Sequence, residues 1–174
     1  MNHIKYTFIL MLAIVLLASN GNAQTAKLIN DLACKAMEKE NFVYENGIAK
    51  LYGIRTNGPD TNNGTLACAK VISIILKRAG AINDILLCVG QIETALSNWK
   101  KIENENDLKP GDIIVWLNRH KGKKDKKCTS GGNCHIGVVT DKGYFHNSPL
   151  SHIPTFNGVP LGAYKFKIGY RPPD

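Results

Sequence analysis

The chain has 174 residues, with 22 Lys plus Arg against 14 Asp plus Glu, five Cys and five His. That length suits one domain rather than two independent cores, and 44% apolar with 21% charged residues excludes a disordered or fibrous chain. The net charge of +8 points to an anionic partner, whether nucleic acid, membrane surface or cell-wall polymer, and does not choose among them.

The first recognisable segment is N-terminal. One lysine lies within Met1 to Lys5, and Phe8 to Ala18 then runs for eleven apolar residues without a break. Ser19-Asn20-Gly21-Asn22-Ala23 follows, with Gly21 and Ala23 at the minus-three and minus-one positions of a cleavage site. This is the pattern of a secretory signal peptide over 1–23, and a bilayer span needs roughly 20 apolar residues. A retained amphipathic anchor is the alternative reading. Cleavage near Ala23 leaves 151 residues at +7, bound for the periplasm, the cell envelope or the exterior. In such an oxidising compartment an odd set of cysteines (Cys34, Cys68, Cys88, Cys128 and Cys134) reads as two bridges and one free thiol.

Along the mature chain, Leu28, Ile29, Leu32, Ala33, Ala36 and Met37 recur at three- and four-residue steps, which predicts a helix from Ala26 to about Glu45. Gly53 to Gly64 is rich in Gly, Asn, Asp and Pro and reads as a loop. A second helix follows with the stripe Cys68, Val71, Ile72, Ile75 and Ala79. Asn63 or Thr65 is its expected cap, Lys77 and Arg78 fall in the last turn, and Gly80 is the stop. A third helix is expected from about Gly90 to Trp99.

The period then changes. Asp112 to Trp116 and His135 to Thr140 read as strands, Asp141-Lys142-Gly143 as a three-residue hairpin loop, Tyr144 to Asn147 as the returning strand and Lys165 to Tyr170 as a last one. Helices first and a β-meander afterwards predict an α+β fold with an antiparallel sheet, a single domain over 24–174. One biased segment stands out: Asn118 to Lys127 holds Arg119, five lysines and one aspartate, a net +5. Asn63-Gly64-Thr65 is also a glycosylation sequon, a pattern common by chance.

Cys68 is placed in the first turn of its helix, where unpaired N–H groups and the macrodipole favour a thiolate and a lowered thiol pKa. A thiolate is the nucleophile that acyl transfer uses, although a small buried apolar residue or a disulfide half accounts for the same position equally well. His135, at the start of a strand, is the candidate base; a surface histidine at a strand end is the plainer reading. A third residue must orient its imidazole. A three-residue turn places Asn147 on the face of His135 and Gly137, whereas a two-residue turn places His146 there. Asn147 is the first choice and His146 the reserve.

A loop entering a helix of the form CAxVxxxxLxxAG, then Lys109-Pro110-Gly111-Asp112-Ile113-Ile114-Val115-Trp116, then His135-Ile136-Gly137-Val138-Val139 with a polar residue about twelve positions later, resembles the NlpC-type and CHAP-type papain-like cysteine peptidases. These are cell-wall amidases, with relatives among type VI amidase effectors and domesticated secreted proteins. The resemblance covers roughly Leu28 to Ser148. It implies a papain-like fold of N-terminal helices on a small antiparallel sheet. It further implies Cys68 as nucleophile, His135 as base, Asn147 as the orienting residue and a structural Asp112. Ala67 stands where Asp is usual before the nucleophile, Ala69 stands where Ser usually follows it, and a basic loop is inserted between the central strands.

The implied activity is a secreted peptidoglycan hydrolase that cuts an amide of the peptide stem or cross-link through a thioester, without metal or cofactor. Its partners would be peptidoglycan or cell-wall peptides, with no nucleic acid and no stable membrane insertion, and the protein would act as a monomer. With Cys68 free, three pairings of the other cysteines remain, of which Cys128–Cys134 and Cys34–Cys88 are favoured. A zinc site built from His120, Cys128, Cys134 and His135 is a weaker alternative, since no CxxC pair supports it. The alternative from another class is a non-catalytic module that holds an anionic polymer through the basic loop 118–127. Only 7% of residues are aromatic, which leaves a nucleic-acid binder few stacking platforms.

Overall fold

A computed structural model describes residues 24–62, 66–119, 128, 134–157 and 163–173. The expected leader, 1–23, lies outside the described residues. Helix α1 covers 24–35 and buries Ile29 and Ala33, one turn apart, with Ala36 beyond its end. It stops ten residues short of the expected Glu45. Three short strands follow instead, β1 (Phe42–Glu45), β2 (Ile48–Leu51) and β3 (Ile54–Arg55), paired antiparallel in that order. The cause is local: Asn46 at φ 50° and Gly47 at φ 75° form a left-handed pair that matches strand twist, and Phe42-Val43-Tyr44 supplies bulky β formers before it. Tyr52 and Gly53, at φ 51° and 78°, repeat the device between β2 and β3. The loop expected over Gly53 to Gly64 therefore contains β3 and a short 3-10 turn, Pro59–Thr61.

Helix α2 (Cys68–Arg78) is the centre of the core, with Ala69 through Leu76 all buried. Lys70 escapes the cost of burial by pairing with Asp60 at 2.6 Å. The N-cap residue is Ala67, with no side-chain cap, so the capping expected from Asn63 or Thr65 is not how this helix begins; both of those residues lie outside the described ones. The expected stop holds. Gly80 at φ 71° lets Ala81 N–H donate to the Leu76 carbonyl and Gly80 N–H to that of Lys77, satisfying the last turn. Helix α3 (Val89–Ala95) is shorter than expected and ends in turns before Trp99.

The second half forms a six-stranded antiparallel sheet of β4 (Lys100–Ile102), β5 (Ile113–Asn118), β6 (Cys134–Thr140), β7 (Gly143–Asn147), β8 (Pro154–Phe156) and β9 (Tyr164–Arg171). The order is β4-β9-β5-β6-β7-β8, so β5 to β8 form a meander and β9 returns beside β5. The fold is α+β. Ile113, Val115, Ile136, Val138 and Phe145 pack with α1 and α2 in the main core, while Ile114 and Trp116 form a second cluster with Leu108, Tyr144, Tyr164 and Phe166. That split is the alternation of a pleated sheet.

Two details fix the positions that matter. Asp112, buried to 1% exposure, accepts from Arg171 Nε at 2.9 Å, from Arg171 Nη2 at 2.6 Å and from the Lys109 N–H at 2.8 Å. It ties the end of β9 to the start of β5, a structural role. In the β6–β7 hairpin Gly143 takes the left-handed conformation at φ 107°, as expected, but Thr140 pairs with Gly143 rather than Tyr144. Gly137 therefore faces His146 and not Asn147, a one-residue change that turns every side chain of β7 to the other face.

Candidate functional site

Cys68 is the first residue of α2, and its half-buried thiol is reached by the backbone N–H of Ile136, which belongs to the peptide bond following His135. The expectation of a lowered thiol pKa fails. Burial pushes the thiol up to about 11, outweighing the backbone N–H groups of Ala69, Ile136 and Cys68 that pull it down; the nearby Cys88 adds a smaller upward contribution. At neutral pH Cys68 is a thiol.

His135 lies on β6 at 3% exposure, stacked on Trp116 at a ring separation of 5.7 Å and 5.4 Å from the ring of Tyr164. Burial, and then the neighbouring His146, depress its pKa to about 3, so the imidazole is neutral. Its Nε2 lies 2.9 Å from His146 Nδ1, and His146 Nε2 lies 2.7 Å from the Asn157 carbonyl oxygen. A carbonyl only accepts, so His146 Nε2 carries a proton, while His146 Nδ1 faces both His135 Nε2 and, at 3.1 Å, the Asn147 carbonyl oxygen. The contact holds the His135 ring against His146 through Nε2.

The structure thus joins His135 to His146, the reserve, and not to Asn147, the first choice. Asn147 is buried on the opposite face of β7, opposite Pro154 of β8, with its Nδ2 3.4 Å from the Ser148 carbonyl. Gly137 allows the arrangement: a Cβ there would lie 2.9 Å from the Phe145 carbonyl and 3.0 Å from the Trp116 ring. Trp116 is fully buried beneath the histidines and lines no open groove, while Tyr144 is half-buried, edge-on to Trp116 at 5.4 Å.

Tyr164 was not anticipated. Its ring neighbours His135, its hydroxyl bonds the Asn118 side chain, and burial together with the adjacent Cys68 raises its pKa. No local signal marks it; only the β5–β9 register, which sets Tyr164 opposite Asn118, carries it there from the far end of the chain.

Cys128 and Cys134 form a disulfide directly before His135. Both sulfurs of the zinc alternative are consumed by that bond, and His120 lies outside the described residues. The Cys34–Cys88 bridge is absent: both are free thiols, like Cys68. Cys34 turns back along α1 to Asn30 Oδ1 at 3.6 Å, and Cys88, at the start of α3, turns to the Cys128 carbonyl at 3.3 Å. Of the basic loop, Asn118 and Arg119 are described; Arg119 Nε donates to the Tyr164 carbonyl at 3.1 Å, and 120–127 lie outside.

Compared with protein-family models, curated proteins and solved structures, the chain matches none of them.

Proposed function

We propose that the protein is a papain-like cysteine amidase acting on peptidoglycan peptides, with Cys68 as nucleophile, His135 as base and His146 as the residue that orients it. The observation that carries this reading is that the Cys68 thiol meets the N–H of the peptide following His135, while His135 Nε2 is held 2.9 Å from the buried His146. A histidine stacked on tryptophan for packing alone has no need of a second buried histidine against its Nε2.

Both partners rest neutral, so Cys68 is not a standing thiolate. The thiol proton passes to His135 as sulfur attacks the amide carbonyl, in the manner of a general base, and His135 returns it to the leaving amine. A water activated by His135 then hydrolyses the thioester. The Cys68 N–H, at the helix start, is one donor to the oxyanion. The excess positive charge of the 118–127 segment suits an anionic wall polymer near this site.

The test is digestion of purified sacculi with mass analysis of the products. Wild type should release muropeptides, and Cys68→Ala and His135→Ala should bind sacculi and release none. Release by Cys68→Ala at the wild-type rate would end the proposal. Binding that vanishes when the loop lysines are neutralised, with no release by wild type, would instead establish the binding module.

A further inference from the structure

A cluster of sulfur atoms lies beside the candidate catalytic residues and takes no part in the mechanism above. The disulfide joins Cys128 to Cys134, and Cys134 is the residue immediately before His135. The Cys128 carbonyl accepts from the Gly90 N–H at 3.1 Å and from the Cys88 thiol at 3.3 Å. The approach is close enough that a Cβ on Gly90 would fall 2.5 Å from that oxygen. A free thiol is therefore bonded to the main chain of one half of a disulfide. On the other side, Lys167 Nζ lies 3.2 Å from Cys128 Sγ, itself fixed by Glu93 at 2.7 and 2.9 Å, with the Tyr170 hydroxyl donating to the same carboxylate at 3.1 Å. An ammonium within hydrogen-bond distance of an uncharged disulfide sulfur gains little there. Beside a thiolate it gains a great deal, because it lowers the pKa of the departing sulfur.

We propose that Cys88, Cys128 and Cys134 form a thiol–disulfide exchange site that controls the placement of His135. In the exchange the Cys88 thiolate attacks Cys134 Sγ, the Cys88–Cys134 bond forms, the Cys128–Cys134 bond breaks, and Cys128 leaves as a thiolate paired with Lys167. One disulfide is replaced by another, so no oxidant or reductant is consumed, and the proton lost by Cys88 is regained by Cys128 when the thiolate is quenched. Attack falls on Cys134 because the ammonium favours Cys128 as the leaving sulfur. The new bond ties the first residue of β6 to the start of α3, so the backbone before His135 must move. The effect on catalysis rests on the hydrolase reading; the exchange itself does not.

The experiment maps disulfides without a catalytic assay. The protein carrying Cys68→Ala is equilibrated at mildly alkaline pH, quenched in acid, alkylated and digested unreduced. A Cys88–Cys134 linked peptide together with alkylated Cys128 is expected, and Lys167→Met should slow its appearance about tenfold. A Cys128–Cys134 bridge that persists alone, with label confined to Cys34 and Cys88, overturns the proposal. As a second arm, Cys128→Ser treated with oxidised glutathione should close Cys88–Cys134. A glutathione adduct on Cys134 without that bridge also overturns it. Exchange in a protein that releases no muropeptides would sink the hydrolase reading and leave this one standing.

Discussion

At the scale of single residues the arrangement turns on two buried histidines held ring to ring. Replacing His146 with alanine removes the ring that holds His135 through Nε2, and should lower kcat on muropeptide substrate by roughly a hundredfold. Asn147→Ala, on the other face of β7, should leave kcat within about threefold of wild type. Steady-state kinetics of the two variants decides the matter, and the reverse ranking would return the orienting role to Asn147. Stability carries the same signature. With its folded pKa depressed to about 3, His135 takes up a proton in the unfolded chain at a higher pH than in the folded one. Stability is therefore complete above its ordinary value near 6.5 and falls as the pH drops from there toward 3. Cys68, raised from 9.0 to about 11, ionises first in the unfolded chain, so stability falls again as the pH rises through that interval. Thermal melts across pH should show a plateau between these limbs, and His135→Gln should flatten the acid one.

At the scale of elements, β6 and β7 leave little freedom around Gly137. Gly137 lies under the Trp116 ring and against the Phe145 carbonyl, and neither neighbour has a flexible end to withdraw. Gly137→Ala should cost about 1–3 kcal/mol in urea denaturation and displace the ring stack that supports His135. A wild-type midpoint in that variant would mean the strand pair is looser than its register suggests. Helix α2 was legible because a long apolar stripe, terminal basic residues and a glycine stop agree in one stretch. The β1–β3 sheet was not read, although the Asn46-Gly47 pair is a strong hairpin signal. The three- and four-residue apolar spacing ahead of it carried the helical reading too far.

For the whole molecule, closure of the sheet depends on Arg171 reaching Asp112 across 59 positions of sequence. Arg171→Met would leave a buried carboxylate with one backbone donor, and should destabilise the fold by about 3 kcal/mol as measured by chemical denaturation. The cysteine arrangement is also a property of the whole chain. Alkylation of the unreduced protein, unfolded at mildly acidic pH before any exchange, should label three cysteines, Cys34, Cys68 and Cys88, and a mass showing a single label would restore the Cys34–Cys88 bridge.

From sequence alone the α+β class, the central helix with Cys68 at its start, the strand that bears His135, and the Cys128–Cys134 bond were readable, because each follows from spacing along one short stretch. The sequence also narrowed the third residue to two neighbours. Only the tertiary structure decided which of the two faces His135, since a single residue of hairpin register exchanges the faces of His146 and Asn147. The thiol's state was likewise beyond local reading. Position at a helix start argues for a thiolate, but burial beneath the sheet and beside Cys88 opposes it, and burial is a sum over distant residues. Tyr164 and Lys167 enter for the same reason: β9 returns from the end of the chain to lie beside β5, and no pattern within β9 itself reveals what it will meet.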